Sequence, residues 1–515
     1  MEKTDNKPFR QGINDLLDPN EPSEISEAAE KVKENERFTK HSPFVTLLIM
    51  SIGPLSQLIQ ALGEAFDMFL VSKRFGSDSN SHAVEIIGFA TTIILTITYV
   101  GNYFGQAIVA KGTTLLGSGK RDVCAHLVVD IFRIAFIFSI LFAVGFSFAI
   151  KPFLKFVGCP ENMINPTFKF IMLVICFLPL ITWFSCSISF LQAIGNSSIA
   201  AATKVLAVVC QCGVFSPIFL FLFKVPTSFI KLSMCISSTI LCVIVMALMF
   251  VGKFSLKPSF KLFIGPFCKE TGSALLLAAP MILQFLCFAL PPTLILQCLT
   301  SVAPDYSEEI GGVFAVFTKI FLLATSFPGA IASGYLSVCT HAFGSNNMKR
   351  LVQTMIWAFV ISFSLYFIFS PILICFPTKI AGIFLSDHLE LQTAKMILPI
   401  PFYTAPLQGI CIVCQMTYVI VGKPILALIP SIFQLLIQSI GCKLLAKKYS
   451  TDLIKVMYIY NISDVIVFFI NMVLMIWPII IIRKRSKTGQ NLSTPSIATF
   501  MSITNIEESP YNQVA

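Results

Sequence analysis

The chain has 515 residues, of which 55% are hydrophobic and 12% charged, and its mean hydropathy is +0.80. A soluble domain carries roughly a quarter charged residues, so most of this surface is not built for water. The net charge of +10 argues against nucleic acid, because the Lys and Arg form no basic stripe and instead flank apolar runs, as in the cytoplasmic loops of membrane proteins.

In chain order, residues 1–42 are polar, rich in Glu and Lys, and read as a disordered cytoplasmic tail with no signal or transit peptide. A spanning helix needs about 20 mainly apolar residues. Such runs lie near Pro43–Val71, Val84–Ala110, Cys124–Ile150, Thr167–Leu191, Ile199–Phe223 and Phe229–Val251, forming an N-lobe over 43–252. A basic cytoplasmic linker follows at 253–270, with Lys253, Lys257, Lys261 and Lys269. A second set lies near Thr271–Cys298, Ile310–Thr340, Leu351–Phe376, Leu391–Ile420, Ile425–Leu445 and Met457–Ile482, forming a C-lobe over 271–482. Residues 483–515 read as a second disordered tail. The expected fold is therefore an all-α, multi-pass membrane protein of twelve transmembrane helices in two six-helix lobes.

An even number of spans puts both termini on one side. Placing that side in the cytoplasm gives it 21 of the 37 Lys and Arg, against nine outside and seven within the spans. The cluster Lys443, Lys447, Lys448 and Lys455 then falls at the outer edge and runs against the bias.

The second half repeats the first at a displacement of 227 residues. Gln57 pairs with Gln284, Gly117 with Gly344, Ser118 with Ser345, Pro179 with Pro406, Gly195 with Gly422 and Gln211 with Gln438. Six helices per repeat insert both copies the same way round, a plan in which two bundles rock to expose a central cavity alternately to each side. Duplication for bulk, as in a scaffold or membrane enzyme, is the plainer alternative.

Charges within the hydrocarbon cost roughly 2.5–3.5 kcal/mol on insertion scales and so mark candidate sites. In the first run, Gln57, Gln60, Glu64 and Asp67 recur at spacings of three and four, which share one helix face. A desolvated carboxylate at Asp67, with Glu64 beside it, could bind and release a cation or proton. Equally, Asp67 could sit near the helix end and pair with Lys73 or Arg74. Gln211 and Gln438, with Gln284, either line a cavity or link helices. Asp130 and Arg133 are placed to neutralise each other, and Asp464 reads as a structural hydrogen-bonding residue. Pro54 should bend the first helix, and Pro280 could do the same in the second half. Cys411 and Cys414 form one CxxC without a second ligand pair, so no metal or other cofactor is expected.

At these residues the sequence resembles the multidrug and toxic compound extrusion (MATE) family, from about Ser42 to Arg483. The stretches QLIQALGEAFDMFLVSKRFG (Gln57–Gly76), LLGSGKRD (Leu115–Asp122), AFGSNNMKR (Ala342–Arg350), FLQAIGNSS (Phe190–Ser198) and YVIVGKPILAL (Tyr418–Leu428) are similar to its motifs, in order and in both halves. The resemblance implies two lobes in a V and efflux of amphipathic, often cationic, organic compounds driven by H⁺ or Na⁺. Asp67 matches the family's first-helix aspartate. Ser216 stands where some members carry a second aspartate, and Thr271–Pro304 and Leu391–Gly422 lack the acids of helices seven and ten. Any coupling is thus expected to run through Asp67. The expected partners are a small organic substrate and membrane lipids, and the expected state is a monomer. A lipid or oligosaccharide flippase of related plan would be expected to carry central cations for phosphate, which the cavity helices lack. A membrane-embedded enzyme would need a catalytic constellation, and none is seen.

Overall fold

The structure, a computed structural model, describes residues 35–75, 83–156, 161–254, 256–302, 307–382, 388–449 and 452–488, and among these it contains helices and no strand. With no water in a bilayer core, an apolar run satisfies its N–H and C=O groups within itself, which makes each long run a helix. The first half contains α1 (Pro43–Phe75) and α2 (Ala83–Ala107), the latter extended by a π-helical turn at Ile108–Gly112 and a last turn at Thr113–Gly117. Then come α3 (Arg121–Phe156), α4 (Glu161–Cys176) and α5 (Leu178–Ala193). The half ends with α6 (Ser197–Val209), extended by π-helical turns at Cys210–Phe215 and Ile218–Leu222, and α7 (Leu232–Val251). The second half contains α8 (Thr271–Ala278), α9 (Pro280–Val302), α10 (Ser307–Gly344) and α11 (Met348–Cys375). It closes with α12 (His388–Ile397), α13 (Ala405–Ile420), α14 (Pro424–Lys448), α15 (Ile459–Leu474) and α16 (Ile476–Thr488).

Among the described residues eight helical spans are long and apolar enough to cross a membrane, and two bent pairs bring the number to ten. The pairs are α4–α5, bent by 50°, and α12–α13, bent by 43°. Two further apolar segments, α2 and the α8–α9 pair interrupted at Ala279, stand at the positions of the second and seventh expected spans. Where the sequence suggested single runs at Thr167–Leu191 and Leu391–Ile420, the chain breaks at Phe177 and at Thr404. The cause is local. Pro179 and Pro406 stand in the first turn of α5 and α13, where a missing N–H interrupts the bonds arriving from the preceding segment. Pro280 starts α9 in the same manner, whereas Pro54 lies inside an unbroken α1.

Phe177 and Thr404 are themselves 227 residues apart, and the repeat recurs throughout the backbone. Gly195 and Gly422 have φ of 80° and 79°, and Gly119 and Asn346 have 77° and 58°. Each residue ends a helix in the left-handed conformation that glycine, and next asparagine, adopts at low cost. The following N–H groups close equivalent bonds, Asn196 N to Leu191 O and Lys423 N to Tyr418 O, both at 2.8 Å. Packing repeats too: α1 lies along α6 as α9 lies along α14, and α1 crosses to α10 as α9 crosses to α2. At the seam a Cβ on Gly117 would overlap the carbonyl oxygen of His341, and one on Gly344 would overlap that of Thr114. Residues 114 and 341 are again 227 apart, so the two glycines approach each other's half reciprocally across a pseudo-two-fold axis.

The linker docks on the first half. Asp130, fully buried, accepts from Cys268 N (2.6 Å), Thr271 Oγ1 (2.8 Å) and Arg133 Nη2 (3.2 Å), while Arg133 also donates to the carbonyls of Phe263 and Gly265. Lys111 meets Glu270 at 2.6 Å. Residues 35–42, assigned from the sequence to a disordered tail, are instead packed against the bundle. Phe38 is buried, stacks on His341 with centroids 4.3 Å apart, and is flanked by Arg37, which donates to Ile194 O. Burial of that ring fixes the segment across both halves. At the other end α16 continues to Thr488, with Arg485 donating to Asn346 Oδ1. Both described ends therefore lie at one face of the molecule. The remainder of each tail, 1–34 and 489–515, lies outside the described residues.

Candidate functional site

A carboxylate in the first spanning helix is the strongest polar anomaly of the first half. Asp67 is 3% exposed and turns into the bundle between α1, α6 and α7. Gln211 Nε2 donates to its Oδ2 at 2.5 Å, and Ser216 Oγ donates to its Oδ1 at 2.7 Å. Ser216 Oγ is also 2.9 Å from Ser233 Oγ on α7, and Ser233 donates to Ile230 O. Gln211 and Ser216 are five residues apart, which in a regular helix would place them about 140° apart around the axis. The π-helical turn at Cys210–Phe215 widens the helix there and brings both onto the face of Asp67. Each carboxylate oxygen thus holds a neutral donor, and among the described residues no Lys or Arg forms a salt bridge with it.

A second polar cluster lies at the seam between the halves. Gln284 Nε2 donates to Gln415 Oε1 at 2.6 Å, and both line a narrow cleft with Gln106, Met281, Leu336 and Met416. Gln106 Oε1 is buried there without a hydrogen-bond partner. Elsewhere on the seam, Gln192 Nε2 reaches Ser333 at 3.3 Å. The cleft is closed tightly, with apolar walls and a few amide groups.

In the second half, Asp464 on α15 is 3% exposed and accepts from Thr404 Oγ1 at 2.7 Å and Gln408 Nε2 at 2.9 and 3.0 Å.

Of the residues singled out in the sequence, the structure joins Asp67 to Gln211 and Gln284 to the seam. Gln60 is half-buried on α1, and the side chains of Gln57 and Glu64 lie outside the described set. Gln438 is buried in α14. Asp130 and Arg133 do pair, and they also hold the linker. Ser216, Ser233, Thr404, Gln408 and Gln106 were not singled out as site residues. Ser and Thr in an apolar helix usually bond their own backbone, so only their tertiary partners reveal them. The buried Cys411 and Cys414 are free thiols, and no group of metal-ligand type occurs among the described residues.

Comparison with known proteins agrees with this geometry. The sequence profile of the MatE family matches residues 54–215 and 280–443, one stretch in each half. A MOP superfamily transporter from Pyrococcus furiosus Vc1, described as having a binding pocket of reversed polarity, superimposes with a TM-score of 0.79 at 15% identity, covering 88% of this chain and 98% of that one. A MATE protein in complex with MaL6 gives 0.78 at 15% identity, covering 88% and 99%. An outward-facing multidrug resistance MATE transporter gives 0.76 at 16% identity, covering 88% and 98%. No curated protein sequence matches the chain significantly. With the family profile spanning both repeats and the two-lobe helical fold shared along almost its whole described length, the chain belongs to the MatE family of multidrug and toxic compound extrusion transporters.

Proposed function

We propose that this transporter is a secondary active antiporter that exports amphipathic, cationic organic compounds by alternating access, in exchange for protons taken up at Asp67. The observation that carries the reading is the buried carboxylate held by Gln211 and Ser216. Among the described residues the groups that hold this carboxylate are neutral donors, a setting that suits exchange of a proton. Protonation weakens two hydrogen bonds that tie α1 to α6, and α1 also crosses to the opposite half at α10. A local charge change therefore bears on the helix that joins the lobes. The seam amides Gln106, Gln284 and Gln415 supply the polar contacts for the guest, and Met281 and Met416 supply adaptable apolar ones. The protein works as a monomer with both termini in the cytoplasm.

The test is uptake of a fluorescent organic cation into proteoliposomes of the purified chain under imposed gradients. A pH gradient alone should drive accumulation, and a Na⁺ gradient at equal pH should not. Indifference to both gradients would contradict the reading.

A further inference from the structure

We propose that Asp464 is a second proton-accepting centre, and that its charge holds the break in the α12–α13 span; the inference rests on the antiport reading for its purpose but not for its test. The break falls at Thr404, which separates the short turn Ile400–Tyr403 from α13. Both side chains that donate to Asp464, Thr404 and Gln408, stand at that junction. The carboxylate of α15 thus clamps a 43° bend in a neighbouring span from the side.

The surroundings are polar without being paired. The hydroxyls of Tyr366 on α11 and Tyr460 on α15 are buried and lack hydrogen-bond partners, and both lie within electrostatic reach of the carboxylate. Ser463 Oγ is likewise buried and unpartnered. Cys411 of α13 is the other titratable group close by, and among the described residues no Lys or Arg forms a salt bridge with Asp464. An uncompensated charge in the hydrocarbon is costly, and the unpaired phenols give an added proton an acceptor. In the charged state the carboxylate accepts from Thr404 and Gln408. In the protonated state its O–H turns toward a phenol oxygen, the grip on the junction loosens, and the span can straighten.

The repeat shows that this is an addition. In the first half the equivalent break is at Phe177, and the residue equivalent to Asp464 is Ser237, which donates only to Met234 O. The positions equivalent to Tyr366 and Gln408 are Ser139 and Ile181. Conversely, Leu294 occupies the position equivalent to Asp67. The two buried carboxylates held only by neutral donors, Asp67 and Asp464, thus lie on non-equivalent helices of the two halves.

Infrared titration of the full chain in nanodiscs tests this without any substrate. Difference spectra of wild type, D67N, D464N and the double variant should assign two buried carboxyl bands. The band kept in D67N is lost in D464N, and T404V or Q408L shifts its midpoint while leaving the Asp67 band in place. Should D464N not fold, the last two variants carry the assignment. Amide hydrogen exchange over 398–412 at one fixed pH should be at least about fivefold faster in D464N than in D67N. Absence of a D464N-sensitive band between roughly pH 5 and 9, or unchanged exchange at the junction, overturns the proposal. A titrating band in a protein that moves no substrate upholds it and sinks the antiport reading instead.

Discussion

At the scale of single residues, few charged groups lie within the spans, and Asp67 and Asp464 are held by neutral donors. Ser216→Ala removes one of the two donors to Asp67. A hydrogen bond to a charged group is worth about 1.5–3 kcal/mol, and one pH unit corresponds to about 1.4 kcal/mol. The pH midpoint of gradient-driven uptake in proteoliposomes should therefore move by about 1–2 units, and Ser216→Thr should restore it. Glu270 behaves differently because it lies in the linker. Burial would lift its carboxyl, but Lys111, with help from Ser273 and Lys120, outweighs that and holds it below the usual glutamate range. A lowered carboxyl contributes stability that is present above the ordinary value of about 4.3 and is lost as pH falls through the lowered one. Glu270→Gln should accordingly lower Tm in detergent at pH 7, by less than loss of a fully buried pair would because Glu270 is a third exposed. The difference should begin to shrink as pH falls below about 4.3 and close only once pH has passed below the lowered value, where the wild-type carboxyl is neutral too.

At the scale of helices, the fold was legible where the physics is collective and less so where it is local. Twenty apolar residues in a row cannot hide, and the displacement of 227 residues located the two halves without coordinates. The duplicated Pro179 and Pro406 were visible as a pair, yet their effect, a broken span at Phe177 and Thr404, needed the structure. Asp67 stood out because charges are rare there. Gln211 and Ser216 did not register as its partners, since their spacing suits a common target only after a π-helical turn. Asp464 was read as a structural residue because its donors lie 56 and 60 positions away in another span. The glycine seam yields its own prediction. A side chain at Gly344 must displace the backbone of Thr114, so Gly344→Val should abolish the closed contact between halves. The equivalent Gly117→Val should do the same, read as increased alkylation of Cys124 and Cys339, both buried near that seam. Phe38→Ala empties a fully buried ring site at the same face. A cost of about 3–5 kcal/mol is expected for such a truncation, enough to loosen the same contact without touching either carboxylate.

At the scale of the whole molecule, the described contacts between halves gather at the face that bears both chain ends: Gly117 on His341, Gly344 on Thr114, Gln192 on Ser333 and Phe38 across both. A carrier must be able to break such a seam and remake one at the opposite face. Two halves built from one repeat supply matching surfaces for that exchange, while the placement of their carboxylates on different helices makes the halves chemically unequal. In this account Asp67 converts the proton gradient into work on the α1–α10 crossing, and the amide-lined cleft between halves holds the guest. The most direct test is proton flux driven by an organic cation in proteoliposomes, wild type against Asp67→Asn, followed with an enclosed pH dye. Loss of substrate-driven proton movement in Asp67→Asn, with substrate binding retained, is the predicted result. Undiminished proton flux in that variant would contradict it.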